Sequence, residues 1–230
     1  MTASEVAAAL RDLKPRFLEG LTPPATKTVI AAATQRRFLP NYILTNQGEP
    51  ADHVFLLLQG RARYFYMTNE GEKMLLWWLR AGEIFGGAAL SSRPRDYLVS
   101  TETVKSSCAL VWDRATIRKL AGLYPQLVEN ALAIISDYLD AYLAIHVSMT
   151  RHTARQRLAQ VLVTLASGIG HTVPGGVELL VSNEDLANAA NVTAFTASRL
   201  LSDWQRSGLL TKSRGKVVLR HPERLILHEL

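Results

Sequence analysis

The chain of 230 residues has one cysteine, and no apolar run approaches the roughly 20 residues that a bilayer-spanning helix needs. A single thiol makes no internal disulfide and cannot supply the ligands of an iron–sulfur cluster or a structural zinc site. Cys108 lies in the apolar run SCALVW and reads as a buried structural thiol. The opening MTASEVAAALRDLKPRFLEG lacks the charged start, unbroken apolar core and small-residue cleavage site of a secretory signal. A cytoplasmic protein with no membrane partner is expected. Histidine is sparse where metal chemistry would need it. Of His53, His146, His152, His171, His221 and His228, only His53 falls in the strand-rich part of the chain. No Ser-His-Asp arrangement, phosphate-cradling glycine loop with lysine, or nucleophile elbow is evident, so neither an enzyme nor a cofactor is predicted.

What is present is an ordinary globular composition, 48% apolar and 20% charged, with charge distributed unevenly. Residues 1–150 carry 16 Lys+Arg against 14 Asp+Glu, a net of +2, while residues 151–230 carry 10 against 6, a net of +4 in about half the length. A small basic domain suits nucleic acid, because neutralising phosphates releases condensed counterions.

From Tyr42 to about Trp112, short apolar runs such as VFLLLQG, YLVSTETV and CALVW alternate with turn signals. Asn69-Glu70-Gly71-Glu72 suits a tight hairpin, and Gly60, Gly82, Gly86 and Gly87 punctuate the rest. An antiparallel β-roll of about eight strands is predicted, preceded by a helical segment around residues 4–19 and read as one unit over 1–122.

Residues 123–150 are assigned to a long helix, entered at Pro125 and free of glycine over 125–149. One apolar stripe runs Leu127, Ala131, Ile134, Tyr138, Ala141, Ile145 in steps of four and three, the spacing of a coiled-coil seam. A second runs Leu132, Ile135, Leu139, Tyr142. A helix apolar on two faces must bury both, one on its own roll and the other on a second copy. Leu127, Ala131, Ile134, Ile135, Tyr138, Leu139, Tyr142 and Ile145 are the candidate dimer contacts, with either stripe as the seam.

Residues 151–230 read as a winged helix: a helix at RQRLAQVLVTLAS, a loop at GIGHTVPGG, a strand at VELLV and a new helix at Ser182. Ser182 is suited to accept from the Asp185 amide, and Asn191 tolerates the positive φ that a turn between helices needs. Thr193 caps TAFTASRLLSDWQRSG, whose Leu200, Leu201 and Trp204 face the core, with Ala197 small at the crossing. Lys212, Arg214 and Lys216 cluster around a two-strand hairpin that reads as a cationic wing. Ser182, Asn183, Thr193, Ala194, Phe195, Thr196, Ser198, Arg199 and the three wing cations are the candidate contacts to double-stranded DNA.

Taken together, RAGEIFGGAAL in the roll, the helix entered at YPQL, RQRLAQVLVTLA, and SNEDLANAANVTAFTASRLLSDWQRSGLL with its basic wing resemble the Crp/Fnr family of bacterial transcription regulators. The resemblance covers nearly everything from about residue 20. It implies an α+β architecture: an N-terminal antiparallel β-roll of the cyclic-nucleotide-binding, jelly-roll type, a long dimerisation helix and a C-terminal winged helix-turn-helix. It also implies a homodimer that reads pseudo-palindromic promoter DNA in successive major grooves, with half-sites about one helical turn apart, and RNA polymerase as a further partner.

The chain departs from the family at the ligand positions. Cyclic-AMP-responsive members carry a Gly-Glu-Leu stretch for the ribose and an Arg–Ser pair for the phosphate. Here the matching positions read Gly87-Ala88 and Tyr97-Leu98, and the helix positions that supply a Thr–Ser pair for adenine read Tyr142-Leu143. A cyclic phosphate without arginine must rely on backbone N–H groups, or on Arg93 and Arg95 nearby. The candidate effector pocket is framed by Phe85, Gly86, Gly87, Ala88, Ala89, Leu90, Tyr97, Leu98, Tyr138 and Tyr142. It is expected either to hold a small organic effector other than cyclic AMP, handled by the tyrosine hydroxyls, or to be filled by its own side chains. Two alternatives stand beside this reading: a cyclic-nucleotide-responsive regulator with a divergent pocket, and a metal-dependent β-barrel enzyme fused to a DNA-binding domain. His53, His146 and Met149 are the candidate haem ligands, without a supporting motif.

The recognition helix departs too. The family's usual Arg and Glu are Ala194 and Phe195 here, while its later arginine is kept as Arg199. The expected half-site has one G·C pair read by Arg199 beside a T-rich step facing Phe195, unless Phe195 packs back onto the preceding helix.

Overall fold

The computed structural model describes residues 2–227, with the side chains of residues 3, 145–150, 223, 226 and 227 outside the description. The expectations for Ile145, His146 and Met149 therefore lie outside the described residues. The chain divides into two compact units, 1–140 and 141–230.

The first unit opens with α1 (Ala3–Leu13), where the Thr2 hydroxyl accepts from the Glu5 amide and the Glu5 carboxylate accepts from the Thr2 amide. A 3₁₀ turn at Arg16–Leu18 and α2 (Pro23–Ala31) follow. The second helix lies beyond the segment predicted at 4–19. Its start signal is plain in retrospect, since Thr22 caps it and Pro23 occupies the first turn.

Among the described residues six strands make the roll, rather than about eight: β1 (Thr34–Phe38), β2 (Ile43–Thr45), β3 (His53–Met67), β4 (Lys73–Arg80), β5 (Ile84–Phe85) and β6 (Ser100–Asp113). The order is β1-β6-β3-β4, with β2 on β6 and β5 on β3, all antiparallel. The count falls because β3 and β6 bend where separate strands were expected to end. Their pairing shifts register between Leu57 and Ala62, and Gly60 sits there at φ +103°. A Cβ on Gly60 would lie 2.2 Å from the Ser107 hydroxyl oxygen, so only glycine allows the two strands to stay paired through the bend. The β3–β4 hairpin closes as its sequence predicts, with Gly71 at φ +81° and the Thr68 amide donating to the Glu72 carbonyl at 2.9 Å.

Alternation along β3 and β6 sorts the apolar residues into two cores. Val54, Leu56, Leu58, Leu110 and Trp112 pack with Phe17, Val29, Ile117 and Leu127, and the Trp112 indole donates to the Val29 carbonyl at 2.8 Å. Phe55, Leu57, Ala109 and Val111 turn the other way and meet Phe38, Leu79 and Phe85. Asp113 then caps α3 (Arg114–Leu123), and α4 (Gln126–Arg151) follows.

The second unit holds α5 (Ala154–Ile169), β7 (His171–Val173), β8 (Gly176–Leu179), α6 (Asn183–Ala189), α7 (Ala194–Arg206), β9 (Leu210–Ser213), β10 (Lys216–Leu219) and α8 (Pro222–Leu227). Its sheet runs β7-β8-β10-β9. The stretch GIGHTVPGG is thus not all loop. Its His171–Val173 pairs with β8, a strand too short to show alternation in sequence. Among the described residues no helix is long and apolar enough to cross a membrane.

Candidate nucleic-acid interface and roll interior

The helix pair α6–α7 is built by local signals. Ser182 accepts from the Asp185 amide at 3.0 Å, and its own hydroxyl donates to the Asp185 carboxylate at 2.9 Å. Asn191 adopts φ +49°, and the Val192 amide donates to the Ala187 carbonyl at 2.9 Å, closing the turn. Thr193 accepts from the Thr196 amide at 3.1 Å, and the two threonine hydroxyls lie 2.9 Å apart. Ala197, Leu200, Leu201 and Trp204 are buried, so α7 turns its other side outward. There Ala194, Phe195 and Arg199 are exposed and Ser198 is half-buried. Phe195 is 79% exposed and so does not pack back onto α6.

The three wing cations behave differently from one another. Lys212 lies back on α7, its ammonium donating to the Ser202 hydroxyl at 2.9 Å and the Ser198 carbonyl at 3.4 Å. Lys216 pairs with Glu178 on β8. Arg214, at the turn beside Gly215, is exposed and engages no other described residue. The expected cationic tip of three therefore reduces to Arg214, because the other two cations find partners within their own fold. Asn183 is exposed in the first turn of α6, and Ser182 is half-buried by its capping role.

Residues 156–227 match the model of the Crp-like helix-turn-helix domain, and residues 35–123 match that of the cyclic nucleotide-binding domain. The two occur in the order and with the joining helix described above. The chain belongs to the Crp/Fnr family. Among its relatives, Electron transport regulator A of Shewanella oneidensis is 22% identical over 179 residues, 76% of this chain and 71% of that protein. Transcriptional activator protein FnrA of Stutzerimonas stutzeri is 25% identical over 178 residues, again 76% and 71%. In fold the chain is similar to the cyclic-di-GMP-responsive regulator CLP of Xanthomonas campestris, with a TM-score of 0.77, 18% identity, and 87% of this chain and all of that one covered. It is similar also to FixK2 of Bradyrhizobium japonicum, at 0.74, 23%, 86% and 98%. This Crp/Fnr chain is a transcription regulator with a DNA-binding helix-turn-helix, not an enzyme.

The Crp/Fnr roll has an interior unlike the pocket framed from sequence. Tyr97 uses its hydroxyl twice on one backbone, accepting from the His53 amide at 2.9 Å and donating to the His53 carbonyl at 3.0 Å. Ala89 and Tyr97 belong to the first core, Phe85 and Tyr138 to the second, and Leu98 and Tyr142 stand 78% and 61% exposed. Ala88 and Leu90 pack on the first core. Gly86 is held at φ +77°, where a Cβ would meet the His53 carbonyl oxygen at 2.4 Å, and Gly87 begins a short 3₁₀ turn through Leu90. Within the first unit, the framing side chains are thus divided between two cores. The interior carries its own rings: Phe55 and Phe85 stack at 4.7 Å, and Tyr138 of α4 meets Tyr64 edge-on at 6.1 Å and Trp77 at 5.6 Å. Burial pushes the Tyr64 and Tyr138 hydroxyls well up from their ordinary range, so both stay neutral. Burial also raises Glu83 above the usual carboxylate range, against the Arg80 amide at 3.1 Å and the Arg80 guanidinium at 3.2 Å.

The two stripes of α4 separate cleanly. Leu127 and Ala131 are buried against the roll, and Ile134 and Tyr138 pack on its cores. These four expected dimer contacts are turned toward their own roll. Val128, Leu132, Ile135, Leu139 and Tyr142 are exposed in steps of four and three, with Leu143 beside them.

Sequence reading missed Tyr64 and Trp77, which the period of two places inward with Ala62 and which pair directly across β3 and β4. It also missed Arg155 and Arg157, whose partners lie on elements distant in sequence.

Proposed function

We propose that two copies of the chain pair along the exposed stripe of α4 and present two α7 helices to successive major grooves of pseudo-palindromic promoter DNA. Half-site centres then lie about one helical turn apart, roughly 34 Å. The observation that carries this reading is the outward face of α7, where Phe195 and Arg199 stand one turn apart and exposed. Arg199 has the fork that suits the O6 and N7 of guanine, and Phe195 offers an apolar surface to a thymine methyl. Ala194 and Phe195 bring no carboxylate, so the side-chain acceptors left for a cytosine amine at the start of the helix are the Thr193 and Thr196 hydroxyls. RNA polymerase is a further partner in this reading, which family membership supports.

The roll in this reading works without cyclic AMP. Tyr138 lies between α4 and the sheet against both Tyr64 and Trp77, so a ligand there would have to displace Tyr138 from two ring contacts. Dimer pairing along the exposed stripe is tested by Leu139→Glu, which leaves the roll core untouched. Sedimentation velocity is expected to show the dimer converted to monomer, with binding to a two-half-site operator lost. An unchanged dimer would overturn the assignment of the seam.

A further inference from the structure

Arg157, in the first turns of α5, has no place in the exposed face of α7, yet it makes three hydrogen bonds to backbone carbonyls of two other segments. Its Nε donates to the Ala190 carbonyl at 2.9 Å, one terminal nitrogen to the Asn191 carbonyl at 3.0 Å, and the other to the His152 carbonyl at 2.8 Å. Ala190 is the C-cap of α6 and Asn191 the residue of positive φ in the turn before α7. His152 follows the last residue of α4. Carbonyls at a helix end have no partner within the helix and carry its partial negative charge, which a guanidinium satisfies with several donors at once. Arg155 reaches the far part of α7, with its guanidinium 5.4 Å from the Trp204 ring centre and 3.9 Å from the Asp203 carboxylate.

We propose that Arg157 is a positioning residue for DNA reading: by clasping the end of α4 and the α6–α7 turn in one planar group, it fixes the direction of α7 relative to the joint at His152–Thr153. The inference rests on the dimeric, two-groove reading above, because only there does the direction of α7 set the separation of two half-sites. Arg157 is not a phosphate contact. Its three donated bonds point at carbonyls of its own fold. Lysine does not replace it, since one ammonium on a flexible stem cannot hold the parallel pair of bonds to Ala190 and Asn191.

The test uses the full chain with Arg157→Lys and Arg157→Ala, a palindrome enriched by the unaltered protein from random DNA, and the same palindrome lengthened by one base pair between its halves. Both variants are expected to lose about tenfold in affinity for the original palindrome and to discriminate less against the lengthened one. The slope of log affinity against log salt stays unchanged, because no phosphate contact is removed. Amide exchange at Asn191 and Val192 is expected to quicken in both variants, a readout that needs no DNA and no alanine variant. Arg157→Lys binding like the unaltered protein with unchanged exchange would overturn the proposal, as would a salt slope reduced by about one. If the unaltered protein enriches no palindrome, the two-groove reading fails instead, and the exchange measurement still decides the clasp.

Discussion

In the roll, Phe55, Phe85, Tyr64, Trp77 and Tyr138 are turned inward and meet stacked or edge-on, and Tyr97 ties its hydroxyl to the His53 backbone. In the winged helix, Phe195 stands outward beside Arg199 and Arg214 ends the wing, all three exposed. These rings and the Tyr97 hydroxyl in the first unit find their partners within the protein itself. Those on the outer face of α7 await a partner. The contrast sets the outward groups of the helix-turn-helix, which family membership assigns to DNA, beside a roll whose rings meet one another, the basis of the proposal that the roll works without cyclic AMP.

The largest effect is expected from emptying the roll. Phe85→Ala removes a fully buried ring and is expected to lower stability by roughly 3–5 kcal/mol in urea unfolding. Benzene should then raise the melting temperature of the variant and not of the unaltered protein, since an apolar cavity stays dry and takes up an apolar ligand. A rise in both would mean that space was open from the start. At the other end, Arg199→Ala is expected to cost roughly 1–3 kcal/mol in binding and to relax preference at a single base pair, with melting unchanged. Uniform weakening across all sequences would make Arg199 a phosphate contact and blur the contrast.

Glu102 sharpens it by titration. Burial opposes its charged form, but hydrogen bonds from Lys73 and from the Arg63 guanidinium at 3.1 Å outweigh burial and hold it below the usual carboxylate range. Its contribution is present above that range and is lost as pH falls through the lowered value. Glu102→Gln is therefore expected to lower stability at pH 7, with the gap to the unaltered protein closing in urea titrations toward pH 3, and DNA preference intact. The smallest effect belongs to Asp113, whose carboxylate caps α3 through the Thr116 amide at 2.8 Å and hydroxyl at 2.7 Å. Asp113→Ala should lower stability by about 1 kcal/mol.

Legibility followed the range of the interaction. Ser182, Asn191 and Thr193 announce the helix-turn-helix because a cap or a positive φ is decided within three residues. Both stripes of α4 were visible as periodicity, but which one faces the roll depends on packing that no spacing encodes. Tyr97 looks like a ligand handle in sequence because its tie to His53 spans 44 positions. The turn signals suggest extra strands where Gly60 makes a bend within a continuous pair. Lys212 and Lys216 looked like a free wing because Ser202 and Glu178, their partners, come from separate elements.

The proposed dimer reads DNA with its roll filled by its own side chains. Selection of duplexes from random DNA by purified protein, dialysed free of small molecules and repeated with added cyclic AMP, tests it most directly. A palindrome with half-sites about one helical turn apart, each with one G·C pair beside a T-rich step, is expected to be enriched equally with and without the nucleotide. Enrichment of no palindrome, or of one only when cyclic AMP is present, would contradict it.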